Sequence, residues 1–324
     1  MQLLGYAYLA DQFKLPALPL ARACYLSDAV PNRRIRDQGG QKVEEFGPTY
    51  APDPTMFGHL RFALRYEGLN LEVLSLLFER VGPEDIQAAL NLEPTGAAPR
   101  RLAFIYEWLT GRELEVPTRR LTGKTRFVPA LDESLQYGLK LGMSPRNDRY
   151  RVIDNLPGTR DFCPLVTRTP YLESMVQKNL KDRTRATLEK YDPRLVIRAA
   201  NFLYLTETHS SFEVERVKPT ATRAQRFADL LREAEVGASL SEERFVELQN
   251  AVVDPRSMEA SYRLEQNWLG IDFGHRKSVD YVPSRPEDVR SLMNGLVAMA
   301  ERLRARPGSI DAIVAASAVP ALEN

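Results

Sequence analysis

From Met56 to Leu90, Leu, Phe and Ile recur at three- and four-residue spacing, as in Leu69, Val73, Leu76 and Leu77. That period commits the stretch to amphipathic helices, each needing a partner for its apolar face. Pro83-Glu-Asp85 starts a fresh helix, because proline lacks only an N–H that the first turn leaves unpaired, and acids favour that end. Arg101 to Thr110 is another amphipathic helix, stopped by Gly111.

The rest of the chain is punctuated differently. Before Met56, short apolar runs mix with proline and glycine. Asp37-Gln-Gly-Gly-Gln-Lys42 and Tyr50-Ala-Pro-Asp-Pro54 frame loops or hairpin turns there, and no regular structure is legible. Residues 116–129 read as a loop with one short strand, and Gly142-Met-Ser-Pro145 and Leu156-Pro-Gly-Thr159 are further breaks.

Helical periodicity returns from Pro170 to about Ala251, with Asp192-Pro193 opening the helix that carries Arg198, Phe202 and Leu205. Ser278-Val-Asp-Tyr-Val-Pro283 reads as a strand or hairpin arm. Pro286-Glu-Asp288 then starts a helix through Val289, Leu292, Met293, Leu296, Val297 and Ala300, and Ile310 to Val319 is one more buried helix. The expected fold is therefore mainly α: a mostly helical N-terminal domain over 1–165 and a second helical domain with a small β-hairpin over 166–324. No internal repeat or low-complexity tract interrupts it.

Charge and cysteine usage exclude several function classes. The 324 residues hold 44 Lys plus Arg against 43 Asp plus Glu, so no positive excess draws the chain to nucleic acid or to an anionic membrane. Cys24 and Cys163 are too few and too far apart for a disulfide framework or a cysteine zinc site. Met1 to Ala10 lacks the basic leader of a signal peptide, and no run approaches a membrane span, so the chain reads as cytoplasmic.

Local catalytic signatures fail one after another. His59, His209 and His275 have no metal-ligand spacing, so no metal site is assigned. Thr122-Gly-Lys-Thr125 imitates the end of a phosphate-binding loop, but Thr118 stands where its first glycine belongs. Neither Gly-x-Gly-x-x-Gly nor Gly-x-Ser-x-Gly occurs. The basic cluster Arg112, Arg119, Arg120, Lys124 and Arg126 lacks interleaved aromatics and reads as a solvated loop, and Glu242-Glu243 reads as helix surface.

One segment rises above that background. In Tyr204-Leu-Thr-Glu-Thr-His-Ser-Ser-Phe-Glu-Val-Glu-Arg216, Ser211 and Glu215 lie one helical turn apart on one face. Glu207 to Glu215 resembles the Ser/Thr-x-x-x-Glu inhibitory helix found upstream of the core of the Fic family of protein AMP-transferases. Further blocks agree in order: Pro219 to Phe227, Leu248 to Pro255, Tyr262-Arg-Leu-Glu-Gln-Asn-Trp-Leu-Gly270 and Asp280 to Val289. The similarity covers roughly 165–319, and more loosely the helical region from Arg101.

The resemblance implies that Asp280, Tyr281 and Val282 belong to the flap, a hairpin that holds a target's backbone by strand addition. It implies ATP and Mg²⁺ as cofactors and, as partner, a protein substrate or a complete Fic-type enzyme. The family's catalytic loop, His-Pro-Phe-x-(Asp/Glu)-Gly-Asn-Gly-Arg-x-x-Arg, does not occur in the 324 residues. Its histidine is the family's general base, its acid holds the metal, and its glycines and arginines cradle phosphate. No catalytic residue is therefore assigned, and this chain is expected to be inactive in AMP transfer. The expected origin is a truncation before the loop, which would leave apolar helix faces exposed.

Arg216 also departs from the family's preferred glycine or asparagine after the inhibitory glutamate, which weakens the expected regulation. The alternative is a non-catalytic module supplying the Ser211 to Glu215 helix in trans to a complete relative.

Overall fold

A computed structural model describes residues 2–38, 41–115, 121, 125–214, 229, 240–253, 258–272, 274 and 277–318. The chain is mainly helical with small sheets, and it divides into two units. The first comprises Met1–Pro170 with Leu303–Ala318, and the second Tyr171–Arg302 with Val319–Asn324.

The first unit opens with β1 (Gln2–Leu4), which runs straight into α1 (Gly5–Gln12). Then come β2 (Arg22–Leu26), β3 (Arg33–Gln38) and β4 (Gln41–Phe46), forming a sheet of order β1-β2-β4-β3. β1 is antiparallel to β2, β2 is parallel to β4, and β3 returns against β4 as a hairpin. This sheet is the main addition to the helical domain expected from the sequence. Its strands escape notice because β3 and β4 carry Arg33-Arg34-x-Arg36 and Glu44-Glu45 where β-branched residues usually stand.

Four helices then build the core. α2 (Met56–Tyr66) is capped by Thr55, whose hydroxyl accepts from Gly58 N at 3.0 Å, and α3 (Leu71–Arg80) by Asn70, which accepts from Val73 N at 3.0 Å. α4 (Pro83–Leu92) has proline at its start and Glu84 and Asp85 in its first turn. α5 (Ala97–Thr110) stops at Gly111, which takes the left-handed φ of 69° that glycine tolerates best. Their apolar faces meet through Leu60, Leu64, Val73, Leu77, Ile86, Leu90, Leu102 and Tyr106. A smaller cluster joins Leu4, Cys24 and Phe46 of the sheet to Phe62 of α2.

Between Thr125 and Pro170 the chain has only two-residue strands: β5 (Val128–Pro129), β6 (Gln136–Tyr137), β7 (Arg146–Asn147), β8 (Val152–Ile153) and β9 (Val166–Thr167). Such short ladders leave backbone groups to be satisfied by side chains. Gln136 does this for Leu69, accepting from its N–H at 2.7 Å and donating to its carbonyl at 2.9 Å, and buried Asn155 does the same for Leu131 at 2.8 and 3.1 Å. From α5, buried Arg100 donates to the carbonyls of Arg126, Tyr150 and Arg151, and Arg101 to that of Ala130. Arginines on a helix thus replace the missing sheet neighbour.

The second unit is built more openly. It contains α6 (Pro170–Gln177), α7 (Leu180–Leu188), α8 (Pro193–Val214) and α9 (Glu242–Val252), followed by a hairpin of β10 (Leu269–Asp272) and β11 (Lys277–Tyr281) and by α10 (Pro286–Arg304). The starts at Pro193 and Pro286 agree with the sequence reading. Apolar residues are spaced as for packed helices, yet Tyr171, Leu188, Leu195, Ile197, Phe202 and Leu203 are exposed. Among its described residues, Leu296 and Met299 of α10 are the large apolar side chains that are buried.

The last described segment belongs again to the first unit. Lys140 N donates to Ser309 O at 2.7 Å, and α11 (Ala312–Ala318) buries Val314 completely. Asp311 Oδ1 accepts from Ile313 N at 2.8 Å at its start. The helix expected as buried over Ile310 to Val319 is thus observed at Ala312–Ala318, with Val314 buried, Ile313 and Ala315 half-buried and Ala312, Ala316 and Ser317 exposed; Val319 lies outside the described residues. No helix among the described residues is long and apolar enough to cross a membrane.

Candidate functional site

The hairpin that holds Asp280 and Tyr281 owes its shape to one glycine. β10 and β11 pair antiparallel with a register shift between Leu269 and Gly270, where Gly270 adopts a φ of 156°. A Cβ at that position would lie 1.9 Å from the Ser278 carbonyl oxygen, so only glycine lets the two backbones approach there. Among the described residues β11 pairs on one side only, which leaves an open edge.

Along that arm Val279, Asp280 and Val282 are exposed and Tyr281 is half-buried. The strand ends at Tyr281, so Val282 sits just beyond it. The exit is pinned from the segment before the hairpin: Arg263 donates to Ser284 O, and Gln266 Nε2 to Pro283 O at 3.2 Å. Arg285 Nε lies 2.8 Å from Asp288 in the first turn of α10. The arrangement offers backbone donors and acceptors, flanked by small apolar side chains and one carboxylate, to an extended chain.

Ser211 lies in the last turn of α8, and Glu215 is outside the described residues, as are His275 and residues 116–120 and 122–124 with Arg119, Arg120 and Lys124. The proposed meeting of Ser211 and Glu215 on one face is therefore not described. Among the described residues no group of His, Cys, Asp and Glu is arranged to hold a metal ion. His59 is buried, stacked on Tyr8 with ring centroids 3.6 Å apart, and burial pushes its pKa down to about 4.

The first unit gathers charged groups that the sequence reading did not single out. Glu44 and Glu45 are wholly shielded from solvent. Arg22 lies 3.0 Å from Glu44, Arg33 pairs with it as well, and Arg34 (2.7 Å) and Arg36 hold Glu45. The Arg34 hydrogen bonds keep the Glu45 carboxyl below the usual range. The signal available was Arg33-Arg34-x-Arg36 followed in sequence, beyond two glycines, by Glu44-Glu45, since opposite charges on neighbouring strands favour pairing.

Glu67 supplies what α1 lacks. No side chain at the start of that helix caps it, but Glu67 Oε1 accepts from Tyr6 N at 3.0 Å from sixty-one residues away. Gly5 makes room: its φ is 54°, and a Cβ there would lie 1.6 Å from Glu67 Oε1. Loss of water around the carboxyl pushes its pKa up to about 8, against the lowering effects of the Tyr6 N–H and Arg22. Burial also raises the neighbouring Cys24 thiol, so this cysteine is a packed side chain rather than a nucleophile.

No family model, no curated protein and no solved structure matches the chain.

Proposed function

We propose that the chain is a Fic-type protein, related to enzymes that move AMP from ATP onto protein hydroxyl groups, that holds an extended stretch of a partner protein along β11 without transferring AMP. The observation that carries this reading is the open-edged hairpin with Asp280 and Tyr281 on its second arm, placed directly before the helix that begins at Pro286. The ordered blocks from Glu207 to Val289 support it.

ATP and Mg²⁺ are what the family implies, and on this reading the chain does not bind them productively, because the groups that the family uses for phosphate and metal belong to a loop that does not occur in these 324 residues. No step of AMP transfer is assigned to any residue here. What remains is binding: β11 continues its ladder with the partner's backbone, and the side chains around Asp280, Tyr281 and Val282 contact alternate residues of it.

Sequencing the gene and its transcript past the Asn324 codon, in every reading frame, tests the assignment. The His-Pro-Phe and Gly-Asn-Gly-Arg signature is expected there, and its absence removes the AMP-transferase relationship as the leading explanation. Labelled ATP with Mg²⁺ and a protein extract tests the inactivity, with a blank expected and a labelled protein contradicting it. The position of Ser211 in the last turn of α8 favours a second reading, inhibition of a complete Fic-type enzyme in trans. On that reading Glu215→Ala abolishes the inhibition without unfolding the chain, and retained inhibition eliminates it.

A further inference from the structure

We propose that the outer edge of β3 is a docking site for an extended acidic polypeptide, which adds one strand to the four-stranded sheet of the first unit. The inference is independent of the Fic reading and uses another part of the molecule.

Backbone geometry shows which groups are on offer. Gly47 N donates to Asn32 O at 2.6 Å, one step beyond the Arg33 to Phe46 pair, while the Phe46 carbonyl turns the other way and accepts from Ser27 N at 2.9 Å. Bonded and non-bonded pairs alternate along an antiparallel ladder. Arg34 and Arg36 therefore direct their backbone groups at β4, whereas Arg33 and Ile35 direct theirs outward from the sheet. β3 is the terminal strand of the sheet, so no described strand meets them.

Side chains select the occupant. Arg33, Arg34, Ile35 and Arg36 are all exposed, and Ile35 leaves 55% of its surface to solvent. Along β3 and β4 the cations Arg33, Arg34, Arg36 and Lys42 outnumber the acids Asp37, Glu44 and Glu45 by one, so a positive charge is in surplus beside the open edge, while Arg22 pairs with Glu44 from β2 on the far side of β4. Glu44 and Glu45 hold the arginines in place, which lowers the ordering cost of binding an anion.

A second copy of this chain is a poor occupant, because antiparallel pairing of two β3 strands sets arginine against arginine. Nucleic acid has no backbone that can continue a β ladder. A polypeptide with carboxylates at alternate positions satisfies both the outward N–H and C=O groups and the surplus charge, and its apolar residues can cover Ile35.

The test uses the full chain and a short fluorescein-labelled peptide of alternating glutamate and valine, followed by fluorescence anisotropy. Two changes remove the ladder without removing charge: N-methylation of the peptide's pairing amides, and Ile35→Pro, which deletes an outward N–H that β4 does not use. Each is expected to weaken binding roughly ten-fold, as for one or two lost hydrogen bonds. If Ile35→Pro unfolds the chain, the methylated peptide decides alone. The proposal is overturned if the parent peptide does not bind, if the methylated peptide binds equally well, if an oligothymidylate displaces the peptide as readily as unlabelled peptide does, or if sedimentation shows a dimer that Ile35→Pro abolishes.

Discussion

The two units read alike in sequence and differ in what their helices do with their apolar faces. In the first, α2 to α5 bury Leu60, Leu77, Ile86 and Leu102 completely or nearly so. In the second, α8 carries Leu195, Ile197, Phe202 and Leu203 at comparable spacing, and all are exposed. Periodicity states that a helix has an apolar side; it does not state that anything covers it. Stability in such a chain is expected to be uneven, concentrated where contacts are dense.

The largest test of that contrast is a pair of truncations. Leu77→Ala should destabilise the first unit by about 2–5 kcal/mol, the range for large-to-small changes in a packed core. Phe202→Ala should stay within about 0.5 kcal/mol, as for surface changes. Urea unfolding followed by circular dichroism measures both, and equal losses would break the comparison.

Gly5→Val comes next. It forces a β-branched side chain into a left-handed backbone and onto Glu67, and a cost of about 1–3 kcal/mol follows from the backbone strain alone. The same urea titration should report it as loss of the first unit. Gly270→Val should disrupt the β10–β11 hairpin by its contact with Ser278 O while leaving the unfolding midpoint of the first unit in place, which hydrogen exchange resolved by segment can read.

The smallest expected effects are in the pH dependence, where two groups of the first unit pull in opposite directions. Glu67 holds its proton up to about 8 in the folded state, above the ordinary value of 4.5, so its contribution is full at low pH and is lost as pH rises through 8. His59 titrates near 4 when folded against an ordinary 6.5, so its contribution is full above 6.5 and is lost as pH falls towards 4. Between 6.5 and 8 Glu67 alone of the two acts, and stability should decline with rising pH. Glu67→Gln should flatten that decline, and His59→Phe, which keeps a ring against Tyr8, should extend the decline down towards 4.5, because the two opposite slopes cancel between 4.5 and 6.5 in the parent chain. Thermal midpoints at stepped pH measure both, and an unchanged slope in Glu67→Gln would contradict the role given to its carboxyl.

Helix boundaries were legible because their causes are local. Pro83, Pro193 and Pro286 open helices and Gly111 closes one through backbone geometry that acts within a turn. The strand around Ser278 to Tyr281 was legible for a similar reason, from alternation within a few residues. The four-stranded sheet was not. β2 and β4 pair in parallel across twenty residues, their apolar content is diluted by Arg22, Glu44 and Glu45, and that of β3 by Arg33, Arg34 and Arg36. Charge in a strand reads as surface until a partner of opposite sign is known to stand beside it.

The candidate site divides in the same way. Asp280 and Tyr281 could be assigned to a hairpin arm from their neighbours, but the bulge at Gly270 and the pinning of the exit by Arg263 and Gln266 depend on segments brought together in space. Glu67 as the cap of α1 had no local signal at all, since donor and acceptor are sixty-one residues apart.

Sequence alone determined the helix starts at Pro83, Pro193 and Pro286 and the stop at Gly111, because proline and glycine act over a few residues, whereas α1 had no local signal. It also determined which contiguous catalytic motifs do not occur in these 324 residues. Tertiary structure decided which apolar faces are covered, which charges are shielded and which strand edges stay open. Those outcomes depend on long-range pairing, where burial and ion pairing are settled by neighbours that the linear order does not reveal.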